Sequence, residues 1–75
     1  MDPQGMSIAV AELVARHISE KTGMPAYIVS ASGGEFEVQL VCINHNADEY
    51  PRLSFFSTDG VAAYLASRAV GQALV

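Results

Sequence analysis

One cysteine, four basic residues and no long apolar run are what this 75-residue chain has least of, and each scarcity closes off a class of protein. Cys42 has no second thiol to pair with, so no disulfide within the chain can brace the fold, and a lone thiol suits a reducing compartment. Four Lys and Arg against eight Asp and Glu leave a formal charge of −4, with an isoelectric point near 4.8. That sign repels phosphate and anionic lipid, so direct nucleic-acid binding is not expected and basic protein surfaces are the favoured partners. No stretch reaches the length of a membrane span, and Glu12 and Arg16 interrupt what would have to be a signal-peptide apolar region, so the chain reads as cytoplasmic. Repeats and low-complexity tracts are missing as well, which leaves one small domain.

Apolar side chain, by contrast, is plentiful at 51% of residues, with a mean hydropathy of +0.26. A core of this size leaves a margin of only about 3–5 kcal/mol, and a small body cannot hide so much apolar surface within one copy. With neither disulfide nor metal site to add stability, oligomerisation or partner binding is the expected supplement.

Residues 1–6, with Pro3 and Gly5 as breakers and a second methionine at Met6, fall outside the pattern and read as a disordered leader or added remnant, with the domain over 7–75. From Ser7 onward, Val10, Leu13, Val14 and Ile18 recur at helical spacing opposite Glu12, Arg16, Ser19 and Glu20. The spacing predicts a helix over Ile8–Thr22, capped by Ser7 and stopped by Gly23 and Pro25. Ala26–Ala31 and Glu35–Ile43 alternate with period two on either side of Gly33-Gly34, the pattern of a hairpin. Alignment about that glycine pair sets Tyr27, Val29 and Ala31 opposite Leu40, Val38 and Phe36. Asn44–Pro51 breaks the periodicity as an exposed connection, Arg52–Phe56 reads as a third strand, and Ser57, Thr58 and Asp59 open a second helix to about Ala73. That helix shows a small-residue stripe, Val61, Leu65, Ala69 and Ala73 beside Ala62 and Ala66, suited to close packing.

The order α-β-β-β-α predicts a two-layer α+β fold: a three-stranded antiparallel sheet with both helices on one face. Tyr27, Val29, Phe36, Val38, Leu40, Cys42, Leu53 and Phe55 are expected beneath the helices. Ile28, Glu35, Glu37, Gln39, Val41, Ile43, Ser54 and Phe56 are then expected on the far face, with nothing to cover them.

Chemistry-bearing residues are sparse. Cys42, His45 and Asp48 fall within seven positions, enough to consider a cysteine–histidine nucleophile or half of a metal site. Cys42, however, shares the inward parity of Phe36, Val38 and Leu40, whereas a working thiolate needs exposure and a positive neighbourhood, and His17 is the one other histidine. Asn44, Asn46, Asp48 and Glu49 lack the spaced acids and glycine of a calcium loop, and Gly33-Gly34 joins strand to strand with no helix N-terminus behind it for a phosphate. The expectation is a protein without catalytic residues, metal or cofactor; a small enzyme or ligand-binding domain using Cys42 and His45 is the less favoured alternative.

The element order over Ser7–Ala73 resembles that of the double-stranded RNA-binding domain, but the start of the second helix, Thr58, Asp59, Gly60, Val61, Ala62 and Ala63, lacks the lysines which that family brings to phosphates. In size, negative charge, mixed α and β layout and want of catalytic residues the chain also resembles the small acidic anti-defence proteins of phages and mobile elements, the anti-CRISPR proteins among them. That resemblance implies inhibition by occupying a basic surface of a nucleic-acid-handling defence complex.

The uncovered face gives the expectation its residues. Ile28, Val41, Ile43 and Phe56 form an apolar end beside Glu35, Glu37 and Gln39, and the neighbouring loop adds Asp48, Glu49 and Tyr50. Two copies can stack on this face as a homodimer, or it can dock a basic protein with Tyr50 and Phe56 as anchors and Glu35, Glu37, Asp48 and Glu49 steering approach. The expected function is a non-enzymatic, acidic protein–protein interaction module that inhibits its partner; an obligate subunit or homodimeric adaptor of a larger assembly is the alternative.

Overall fold

Ser7 stands in extended backbone at φ −64° and ψ 158°, and its Oγ accepts from the Val10 amide at 3.3 Å, the capping bond that lets a helix begin at the next residue. In the computed structural model, which describes residues 5–42 and 51–73 (side chains to Gly71), that helix, α1, runs Ile8–Thr22. It ends as Gly23 turns left-handed at φ 72° and donates its amide to the Ser19 carbonyl. Side chains lock the exit: Ser19 Oγ donates to the Met24 carbonyl at 2.8 Å, and Thr22 Oγ1 donates to Ile18 and accepts from the Met24 amide.

Three strands follow, β1 (Ala26–Ser30), β2 (Phe36–Val41) and β3 (Arg52–Phe55), antiparallel in the order β1-β2-β3, and then α2 (Thr58–Ala73). This is the expected α+β architecture. Ala11, Val14 and Ile18 of α1 meet Val38 and Leu40 of β2, with Phe55 and Val61 closing the cluster, so both helices lie on one sheet face. Ser57 Oγ accepts from the Gly60 amide at 3.2 Å and starts α2.

The face that α2 turns inward keeps Val61 and Leu65 of the expected stripe but turns toward Tyr64 and Arg68 in place of its alanines. Val61 is buried and Tyr64, Leu65 and Arg68 are half-buried, while Ala62 and Ala69 are exposed. The larger side chains remove more apolar area from water and decide the rotation of the helix. Tyr64 packs its ring on Phe55 at 5.4 Å between centroids and receives the Arg68 guanidinium 5.9 Å from its own.

The hairpin register also differs, by one residue. The Ala31 amide donates to the Glu35 carbonyl at 2.8 Å, so the loop is Ser32, Gly33 and Gly34, one tight 3₁₀ turn, and pairing is centred on Gly33. Ala26, Ile28 and Ser30 therefore oppose Leu40, Val38 and Phe36. Ile28 points inward against the core instead of lying on the far face, and Tyr27 and Val29 take its place outside. Chemistry favours this register, since an inward Tyr27 would have to bury a hydroxyl and Ile28 has no polar atom to satisfy.

The turn depends on Gly33 and Gly34, both left-handed at φ 75° and 76°. Nothing lies within 4 Å of a Cβ added at Gly33, so Gly33→Ala tests the backbone alone. It should cost about 1–2 kcal/mol in urea denaturation, and Gly33→Asn less.

Met6 belongs to the fold rather than to a detached leader. Its amide and carbonyl pair with those of Phe36, both at 2.8 Å, and its side chain is 6% exposed within the core. Phe36 is in phase with Val38, whose partner is Phe55, so its polar groups point to the β3 side, where beyond the end of β3 Met6 receives them. Residues 1–4 lie outside the described residues.

Candidate interaction surface

The observed register determines what the face opposite the helices presents. Gln39 sits at its centre, paired with Tyr27 on β1 and Ser54 on β3; Glu37 pairs with Val29, Val41 pairs with Arg52, and Phe56 follows directly after β3. Gln39 Nε2 donates to Glu37 Oε1 at 3.5 Å, and Arg52 Nη1 donates to Gln39 Oε1 at 3.4 Å. A polar ladder thus runs Glu37–Gln39–Arg52 across the middle, flanked by Tyr27 and Val29 on one side and Phe56 on the other. Both bonds lie at the long end of the hydrogen-bonding range, so little is lost if a partner's groups replace them. Tyr27 is 54% exposed and Phe56 45%, and among the described residues no element covers either.

Aromatic and β-branched side chains around a few hydrogen-bonding groups are the composition of an interface centre, where Tyr and Phe supply area at low entropic cost. The described part of the face is electrically mixed, because Arg52 stands with Glu37. The acidic bias expected of it therefore does not come from these strands alone.

Of the residues that alternation assigns to the surface, Glu37, Gln39, Val41 and Phe56 lie on this face, and Glu35 is half-buried just before β2. Ile28 does not belong to it, for the reason of register given above. Ile43, Asp48, Glu49 and Tyr50, like His45, fall outside the described residues. Tyr27 and Val29 are the members whose side alternation about the glycine pair inverts, and Arg52, in phase with Ser54 and Phe56, joins them on this face. The signal for Tyr27 was its hydroxyl, which argues against burial in a core of hydrocarbon.

Cys42 is half-buried against the core with Sγ 3.9 Å from the Leu40 carbonyl, and His17 is exposed on α1. No group of three His, Cys, Asp or Glu among the described residues is arranged to hold a metal ion. No described helix is long and apolar enough to cross a membrane.

Fold and surface together define a two-layer α+β domain whose sheet presents an open platform of mixed apolar and polar side chains. No protein-family model, curated protein or solved structure matches the chain.

Proposed function

We propose that this chain is a non-enzymatic, acidic interaction protein of the cytoplasm, homodimeric through the apolar part of its open sheet face, which presents the acidic rim of that face and the acidic loop beside it to a basic partner protein and inhibits it. The observation that supports this reading is the set of apolar side chains Tyr27, Val29, Val41 and Phe56 around the polar ladder of a face that no described element covers. A domain of 75 residues with no disulfide has reason to shield such a cluster by association. The net charge of −4 directs that association toward basic surfaces, among which those of nucleic-acid-handling defence complexes suit an inhibitor of the anti-CRISPR kind.

Two measurements test the proposal. Light scattering at micromolar concentration should return twice the 8.0 kDa chain mass, and Tyr27→Glu with Phe56→Glu should return the single mass; a wild-type monomer removes the dimer. In cells with an active nucleic-acid-guided defence system, expression of the chain should raise survival of a targeted plasmid, and Glu37→Lys with Asp48→Lys should lower that protection about tenfold or more through lost steering. Protection that survives charge reversal would remove electrostatics from the proposal.

A further inference from the structure

Between α1 and α2 lies an open groove of about 290 Å³ lined by Leu13, Val14, His17, Val61, Ala62 and Leu65, with Thr58 at its end. A second hollow of about 250 Å³ shares Leu65 with it and adds Lys21, Arg68 and Ala69. Lining residues advance together along both helices, Leu13 to Lys21 on α1 and Val61 to Arg68 on α2, so the helices run parallel; the first hollow is mainly apolar, with His17 and Thr58 in its lining, and the second, adjoining it at Leu65, holds two cations. Eight residues of α1 at about 1.5 Å each give it a length of about 12 Å.

Three features make this a site for a ligand of defined chemistry. Leu13 is 65% exposed at the apolar end, a large side chain left in water on a wall of the groove. Lys21 and Arg68 are half of the four basic residues in a chain with twice as many acids, yet no ion pair closer than 4.0 Å forms among the described residues. Among the described residues Lys21 is exposed and is answered by the C-terminal dipole of α1, while Arg68 donates to the Tyr64 hydroxyl at 3.4 Å and lies over its ring, so neither contact cancels the positive charge. Finally, α1 and α2 are in contact, and each hollow falls just below the range for ligand sites, about 300–1,000 Å³. A slim chain fits such a space better than a helix about 10 Å across.

We propose that the groove binds a single-chain anionic amphiphile, with its alkyl chain along Leu13, Val14, Val61 and Leu65 and its carboxylate between Lys21 and Arg68. Hydrocarbon burial supplies affinity and the paired cations supply orientation, through charge-assisted hydrogen bonds. The site is on the helix layer and is independent of the sheet platform.

Titration of the full chain with decanoate below its micellar concentration, followed by amide NMR and calorimetry, tests the assignment. Shifts should concentrate at Leu13, His17, Leu65 and Arg68, and decyltrimethylammonium, with the same tail and opposite charge, should bind about tenfold more weakly or worse. Lys21→Glu with Arg68→Glu should lower decanoate affinity by at least about tenfold and reverse the preference. Ala62→Phe, a filling substitution at an exposed position, should abolish binding of both probes while circular dichroism shows the fold retained. Equal binding of the two probes, indifference to the charge reversal, or shifts elsewhere would overturn the proposal. So would an acidic amphipathic peptide that moves these amides when decanoate does not.

Discussion

Ile18→Ala and Leu40→Ala should each leave the protein largely unfolded at 25 °C. Both side chains are fully enclosed, one on α1 and the other on β2, within one cluster where the helix layer meets the sheet. Truncation of a buried Ile or Leu costs about 2–5 kcal/mol, through lost transfer free energy and the cavity left behind. A single core of this size holds about 3–5 kcal/mol in total, so loss and margin are of the same order. Far-ultraviolet circular dichroism against urea should show the folded baseline shortened or gone for both variants. Leu13→Ala is the control: at 65% exposed it should shift stability by no more than about 0.5 kcal/mol.

The second large effect is expected where sequence pattern is weakest, at Gly5. A Cβ added there would stand 2.7 Å from the Phe36 carbonyl oxygen and 2.9 Å from Glu35 Cβ, closer than real Cβ atoms approach, and the oxygen belongs to backbone that cannot step aside. Gly5→Val should therefore expel the Gly5-Met6 segment, with loss of the two hydrogen bonds to Phe36 and the burial of Met6. The cost should be about 2–3 kcal/mol. Removal of residues 1–6 should cost the same, and in both variants the Phe36 amide should lose protection from hydrogen exchange. A stability equal to the parent's would return Met6 to the status of an appendage.

Helix limits were readable because capping chemistry is local: Ser7, Gly23 and Ser57 act through residues within four positions of themselves. Strand identity was readable for a similar reason, since alternation is a property of each segment. The pairing of β1 with β2 was not, because Gly33-Gly34 is compatible with a two-residue and a three-residue loop, and one residue of difference turns a strand over. What decides it is the cost of an enclosed Tyr27 hydroxyl against that of an enclosed Ile28, a tertiary matter. Met6 was missed because a single bridge has no period. The interaction surface was legible on β2, where Glu37, Gln39 and Val41 keep their parity, and misread on β1 for the one reason of register. The groove between the helices depends on how α2 is rotated, which follows from Tyr64 and Leu65 outcompeting alanines for the interior.

That rotation leaves α2 lightly held. Val61 is its one buried residue among those described, helped by Tyr64 on Phe55 and by Leu65, whereas α1 sinks Ala11, Val14 and Ile18 into the interior. The last helix is therefore expected to lift away first, and its amides should exchange with solvent faster than those of α1 and the hairpin. Both walls of the groove exist only while it is docked. Any molecule seated there binds the closed form and not the opened one, so occupancy and the anchoring of α2 are thermodynamically linked.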